Sequence, residues 1–177
     1  MILSCQPYRE DRNLGKAYND AFKLIGDDDY LIITDYDVLY LLPDQIKHIT
    51  EYCNRFPDGD LFVSWANRTF VPNAQIYSGK LDEEADIRKH LATAQECYKN
   101  LYNVTRIREN ISGFLMAIPK RTWNEIPFTE DLKCLGVDTI FSQKLLSADK
   151  IIYRMDGIYI WHTYRLLNGV KNKSHLL

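Results

Sequence analysis

Tyr30-Leu31-Ile32-Ile33-Thr34 is an unbroken apolar, β-branched run that passes straight into Asp35-Tyr36-Asp37. A strand with no polar face has to be covered on both sides, which is the habit of an interior strand of a parallel sheet. The surrounding pattern agrees. Ile2–Cys5 is a short apolar run stopped by Pro7 and reads as a buried strand. Leu14, Ala17, Tyr18, Ala21, Phe22 and Ile25 recur at helical spacing behind Asn13, a suitable N-cap, and Gly26-Asp27-Asp28-Asp29 ends that helix. Pro43 opens a second helix with Ile46, Ile49, Cys53 and Phe56 as its stripe. Leu61–Trp65 and Gly113–Ile118 read as strands, Asp82–Tyr102 and Asp138–Ala148 as helices, and Lys150–Met155 and Ile158–Trp161 as two closing strands. The stretch from Arg68 to Lys80, with Pro72, Asn73 and Gly79, reads as a loop over the site. Alternating strands and helices predict an α/β fold with a mostly parallel central sheet flanked by helices. In such sheets ligands bind beyond the carboxyl ends of the strands, where Asp35 and Asp37 fall.

The 177 residues suit a single domain spanning 1–177, with 166–177 a polar tail. The net charge of −2 is spread evenly along the chain, which argues against a nucleic-acid partner, since such proteins carry a basic stripe. Cys5, Cys53, Cys97 and Cys134 are far apart and form no C-x-x-C pair. With no basic, apolar leader at the start, they are expected to be free thiols in a cytoplasmic protein. The sequons at Asn67, Asn103, Asn110 and Asn172 carry no meaning in that setting. No apolar run approaches the ~20 residues that cross a bilayer. The acidic run Asp27–Asp29 lacks the spacing of a calcium loop and reads as a solvated turn.

Three places have side chains suited to chemistry. Asp35 and Asp37, two residues apart, offer hard oxygen ligands for magnesium or manganese, or else cap donors of their own turn. His162, in Trp161-His162-Thr163-Tyr164-Arg165, would complete a three-ligand site if the fold returned it to Asp37. Beside it, Arg165 has the forked donors that clamp a phosphate. Asp138, in Gly136-Val137-Asp138-Thr139, is either a first-turn acid that favours the helix dipole or a general base.

Taken in order, these segments resemble the family 2 glycosyltransferases and related GT-A enzymes, in a compact form. Asn13-Leu14-Gly15-Lys16-Ala17-Tyr18-Asn19 is similar to the segment opening the helix before the metal motif, with Lys16 and Asn19 as its nucleotide-side polar residues. Leu31–Asp37 resembles the strand ending in the D-x-D motif, which encloses Tyr36. Ser112-Gly113-Phe114-Leu115-Met116 resembles the acceptor-side strand with its small residue, here Gly113. Gly136-Val137-Asp138 stands where the family carries its catalytic base. Ile160-Trp161-His162-Thr163-Tyr164-Arg165 is similar to the V-x-H-x-x-R ending, whose histidine is the third metal ligand and whose arginine meets the diphosphate. The resemblance implies a GT-A-like (Rossmann-like) fold in a minimal version. It implies Mn2+ or Mg2+ held by Asp35, Asp37 and His162. It also implies a nucleotide-sugar donor (UDP-sugar favoured, GDP-sugar possible) and a carbohydrate or other hydroxyl acceptor. Asp138 would be the base of an inverting transfer in polysaccharide or glycan synthesis, with Tyr164 and Arg165 at the diphosphate.

Two departures stand out. The chain passes from Ile2–Cys5 almost directly into the first helix, without the family's first helix and second strand, so Pro7, Tyr8 and Arg9 are the remaining candidates for base recognition. Val137 replaces the glutamate often found beside the base. Arg68, with Asn67, is placed near the donor sugar or is a solvated loop cation. His175 would reach the site only if the tail folded over it. The run Leu31–Asp37 also looks like the first motif of haloacid-dehalogenase-type phosphatases, with Asp35 as nucleophile and Asp37 as general acid, although Leu39 stands where they carry Thr or Val. A non-catalytic domain binding nucleotide sugar is the third reading.

Overall fold

A computed structural model describes residues 2–69 and 74–163. Seven strands form one sheet: β1 (Ile2–Cys5), β2 (Tyr30–Thr34), β3 (Val38–Tyr40), β4 (Leu61–Ala66), β5 (Val104–Ile107), β6 (Leu115–Pro119) and β7 (Ile152–His162). Their order is β1-β2-β6-β4-β7-β3, with β5 also pairing β7. β1 runs parallel to β2 and β4 parallel to β7, while β6 lies antiparallel between β2 and β4. β3 and β5 run against β7. The sheet is therefore mixed, with β1, β2, β4 and β7 running one way and β3, β5 and β6 the other. A strand apolar on both faces, such as Leu115–Pro119, carries no record of its direction.

Alternation along the strands sorts side chains to two covered faces. Leu31, Ile33, Leu61, Val63, Met116 and Ile118 join one cluster, with Tyr18 and Phe22 of α1 (Leu14–Phe22) and Val137, Phe141 and Leu145 of α5 (Val137–Ser147). Ile32, Phe62, Leu115 and Ala117 join the opposite cluster, with Ile49, Tyr52 and Cys53 of α2 (Gln45–Arg55). Each buried aliphatic side chain is worth about 1.5–3 kcal/mol, so a one-residue slip of β2 would exchange the two sets at heavy cost. α3 (Ile87–Tyr98) places Ala94 and Cys97 against Tyr159 of β7, and α4 (Lys120–Glu125) follows β6 directly. All four cysteines are free, as expected.

The two expected closing strands are one. Between Met155 and Tyr159 β7 advances four residues while β4 advances one, from Ser64 to Trp65. Asp156-Gly157-Ile158 is thus a bulge that divides β7 into a half paired with β5 and a half paired with β3. β3, β5 and α4 are too short to show a period in the sequence. The second helix begins at Gln45, two residues after Pro43, and its N-cap Asp44 has φ 59°.

Candidate functional site

β2, β4 and β7 run the same way and end at one edge of the sheet, and β6 and α5 begin there. That edge receives Asp35 and Asp37 after β2, Asn67 and Arg68 after β4, His162 at the end of β7, Gly113 and Phe114 before β6, and Asp138 in the first turn of α5.

Asp35, Asp37 and His162 each offer one ligand atom, all within 4.8 Å of one another. His162 Nε2 lies 3.4 Å from Asp37 Oδ1 and 3.9 Å from Asp35 Oδ2. Its other nitrogen, Nδ1, is 2.8 Å from the Arg68 carbonyl oxygen, which only accepts, so Nδ1 carries the proton. That fixes the tautomer and turns the Nε2 lone pair toward the carboxylates, the arrangement that orients a metal-binding histidine. The Asn67 side-chain oxygen accepts from the His162 backbone N–H at 2.9 Å and continues the β4–β7 ladder past its last pair, Ala66 and Ile160. Phe114 stacks on the imidazole with centroids 5.3 Å apart. From the other side Thr163 ties β7 to Asp37, both its N–H and its hydroxyl donating to the Asp37 carbonyl at 2.9 Å.

The electrostatics are those of a site short of positive charge. Burial, opposed by His162 and assisted by Asp37 and Asp138, pushes the Asp35 carboxyl up to about 6. Burial pulls the His162 imidazole down, but in the protonated form Nε2–H bonds Asp37, and that bond with the Asp37 charge outweighs burial, so the net shift is upward. Burial leads the upward shift of Asp35, and the Asp37 carboxylate leads that of His162. Asp37 Oδ2 is buried with no hydrogen-bond partner among the described residues. Two carboxylates, one of them with an unused buried oxygen, and one oriented imidazole fit a divalent cation. The nitrogen ligand favours manganese over magnesium.

Asp138 lies beside this cluster. Its Oδ2 accepts from Gly113 N–H at 2.7 Å and its Oδ1 from Thr139 N–H at 2.8 Å. Burial raises its pKa, against the lowering effect of those bonds. A Cβ on Gly113 would come within 2.8 Å of Asp138 Cβ, so the approach needs glycine. Gly136, at φ 82°, forms the N-cap that sets the direction of α5. Asp35 N–H donates to the Phe114 carbonyl at 3.0 Å, which joins the Asp35 and Gly113 sides of the edge.

Other expected residues fare differently. Asn19 spends its side-chain amide inside the fold. Its amide nitrogen donates to the Phe128 carbonyl and Glu130 Oε1, its oxygen accepts from Trp123 Nε1 and Phe128 N–H, and nothing of the amide is left over. It ties α1 to the segment after α4. Arg68 is not a solvated cation: it is 1% exposed, with Asp82 3.8 Å from its Nε, and it serves the site through its carbonyl. Arg9 is paired with Asp11 at 3.0 Å and Asp20 at 2.8 Å. Pro7 and Lys16 are half-buried, the first beyond the end of β1 and the second on α1. Tyr8 and Tyr36 follow the neighbouring strands β1 and β2 at the same edge, 82% and 81% exposed. Tyr164, Arg165 and His175 lie outside the described residues. Phe114 and Thr163 are supports whose roles only the fold reveals. Among the described residues no helix is long and apolar enough to cross a membrane. No protein-family model matches the chain, and a search of curated proteins returns no match.

Proposed function

We propose that this chain is a metal-dependent glycosyltransferase of GT-A-like build that moves a sugar from a nucleoside-diphosphate donor to a hydroxyl acceptor. The observation that carries the reading is the oriented cluster of Asp35, Asp37 and His162 at the carboxyl edge, with Asp138 next to it. These three residues would hold Mn2+, or less favourably Mg2+. When bound, the ion supplies positive charge to the leaving diphosphate.

Asp138 is the base. Each of its oxygens keeps a lone pair beyond its backbone hydrogen bond, and its raised pKa strengthens it as a proton acceptor. It takes the acceptor hydroxyl proton, the freed oxygen bonds to the anomeric carbon, and the bond from that carbon to the diphosphate oxygen breaks. Gly113 holds the Asp138 carboxylate in place by its N–H. The exposed rings of Tyr8 and Tyr36 offer flat faces for the nucleoside base. UDP is the favoured nucleotide and GDP the alternative.

Calorimetric titration of MnCl2 with UDP, then with GDP, tests the reading. Binding should require the metal and should weaken by about 100-fold or more in Asp37→Ala and His162→Ala. Asp138→Asn should keep metal-dependent binding and lose about 100- to 10,000-fold in turnover of the bound donor. Nucleotide binding that ignores the metal, or that survives loss of His162, would remove the three-ligand site and return the Asp35/Asp37 pair to the phosphatase reading.

A further inference from the structure

A second recess lies away from the metal cluster, between the start of α2 and the last turn of α3. It is a cleft of about 310 Å³ lined by Leu42, Pro43, Asp44, His48, Gln95 and Tyr98. Its walls are held in place. Gln45 accepts the backbone N–H of Leu41 and Leu42 on its side-chain oxygen, at 2.7 and 3.0 Å, and donates to the Tyr159 carbonyl at 3.1 Å. This pins the loop that carries Leu42, Pro43 and Asp44. Just after that loop, in α2, His48 lies between two phenols, with Nδ1 2.9 Å from the Tyr102 hydroxyl and Nε2 3.3 Å from that of Tyr98 on the facing helix. Tyr98 meets the His48 ring edge-on at 73° and remains 40% exposed, a fixed aromatic face open to solvent. Asp44 has the left-handed φ of 59° and, although at an N-cap position, does not cap with its side chain. Such backbone is unfavourable for a residue other than glycine, and among the described residues the Asp44 carboxylate makes no hydrogen bond to its helix.

The lining selects among ligands by chemistry. Among the described residues the lining holds one carboxylate and no Lys or Arg, which excludes a phosphate or nucleotide. Both ring nitrogens of His48 are already committed to phenols, which excludes a metal centre. A purely apolar segment would bury Asp44 and Gln95 without partners. A ligand with both an apolar face and a rim of hydroxyls satisfies the whole set. Its face lies on the Tyr98 ring and against Leu42 and Pro43, and its hydroxyls bond Asp44 and Gln95.

We infer that the α2–α3 cleft is a binding site for a neutral sugar ring, separate from the metal cluster. The site stands on the cleft alone and holds whether or not the cluster serves glycosyl transfer. Saturation-transfer NMR on the intact chain, with methyl β-glucoside, methyl β-galactoside and N-acetylglucosamine as probes, tests it. At least one probe should receive saturation from the protein, with amide shifts confined to Leu42–His48 and Gln95–Tyr98. Tyr98→Ala should weaken that binding by about tenfold, and Gln95→Ala by about threefold. Both side chains are exposed, so an unchanged amide fingerprint elsewhere will certify the fold. Asp37→Ala should leave sugar binding intact, which keeps this result distinct from failure of the metal-dependent reading. Saturation of none of the three sugars would overturn the inference. So would binding unchanged in both cleft variants, or tetramethylammonium displacing the sugars as the preferred occupant.

Discussion

β4 and β7 lie side by side and parallel, and near each end of the pair sits a largely buried aspartate, Asp60 at one and Asp37 at the other. The two sites contrast sharply. At the amino end, Asp60 accepts from the Thr122 hydroxyl at 3.2 Å on one oxygen and from Ile151 N–H at 2.9 Å on the other. Arg121 and Lys150 each lie 3.9 Å away. At the carboxyl end, Asp37 has a second carboxylate and an imidazole for neighbours, no Lys or Arg ion pair among the described residues, and one buried oxygen with no hydrogen-bond partner. A carboxylate with its donors and counter-charges supplied holds the fold together. One placed among other electron-rich groups costs stability until a cation arrives.

The sharpest way to break this comparison is to remove each aspartate from the metal-free protein. Asp60→Ala strands two donors and should lower the unfolding free energy by about 2–3 kcal/mol in urea titrations. Asp37→Ala should move it by no more than about 0.5 kcal/mol. Equal losses would show that Asp37 is a structural residue and would remove the argument for a ligand at that edge.

The support of His162 offers a finer test. Asn67→Ala removes the acceptor for the His162 N–H without touching a ligand atom. Mn2+ affinity should fall by about tenfold, as for other residues that orient a metal-binding side chain. An affinity equal to wild type would mean that β3 and Thr163 position the histidine unaided.

The smallest effect is in the pH dependence of stability. Asp35 titrates near 3.8 when unfolded and is pushed up to about 6 when folded, so the folded state binds more protons between those values. Its ionisation therefore costs stability as pH rises through that window. In chelator, Asp35→Asn should melt slightly higher than wild type, with the gap opening from about pH 4 to about pH 6 and staying constant above. Saturating Mn2+ should reverse the order, because only the wild type retains both carboxylates. A gap independent of pH would locate the effect outside the Asp35 charge.

Much of this was legible in the chain. The run at 30–34, the Asn13 cap (Asn13 Oδ1 accepts from Lys16 N–H at 2.9 Å) and the stripes of the helices are local signals set by side-chain period. Strand direction was not legible, since β6 is buried on both faces and reads alike either way. Nor were β3 and β5, which are held by pairing with β7 rather than by propensity. Within the site, Asp35, Asp37, His162 and Asp138 could be named from residue type and position. The surroundings of Asn19 and the burial of Arg68 were not legible, because whether a polar side chain faces solvent or a carbonyl depends on what folds against it. Nothing near Asn19 in sequence reveals that Trp123, Phe128 and Glu130 will use up its amide.

The sequence alone determined which segments must be covered on both sides, which of the longer ones carry a helical stripe, and that acids follow the run at 30–34. Those properties are local, written in periods of two and 3.6 residues and in the chemistry of single side chains. Only the tertiary structure decided that His162, 125 positions after Asp37, returns to within 3.4 Å of it. It also turned the proton-free nitrogen toward the carboxylates and left Asp37 Oδ2 without a donor. Those outcomes depend on sheet order, on the Arg68 carbonyl and on Asn67. Contacts between residues far apart in the chain are chosen by packing the whole molecule at once.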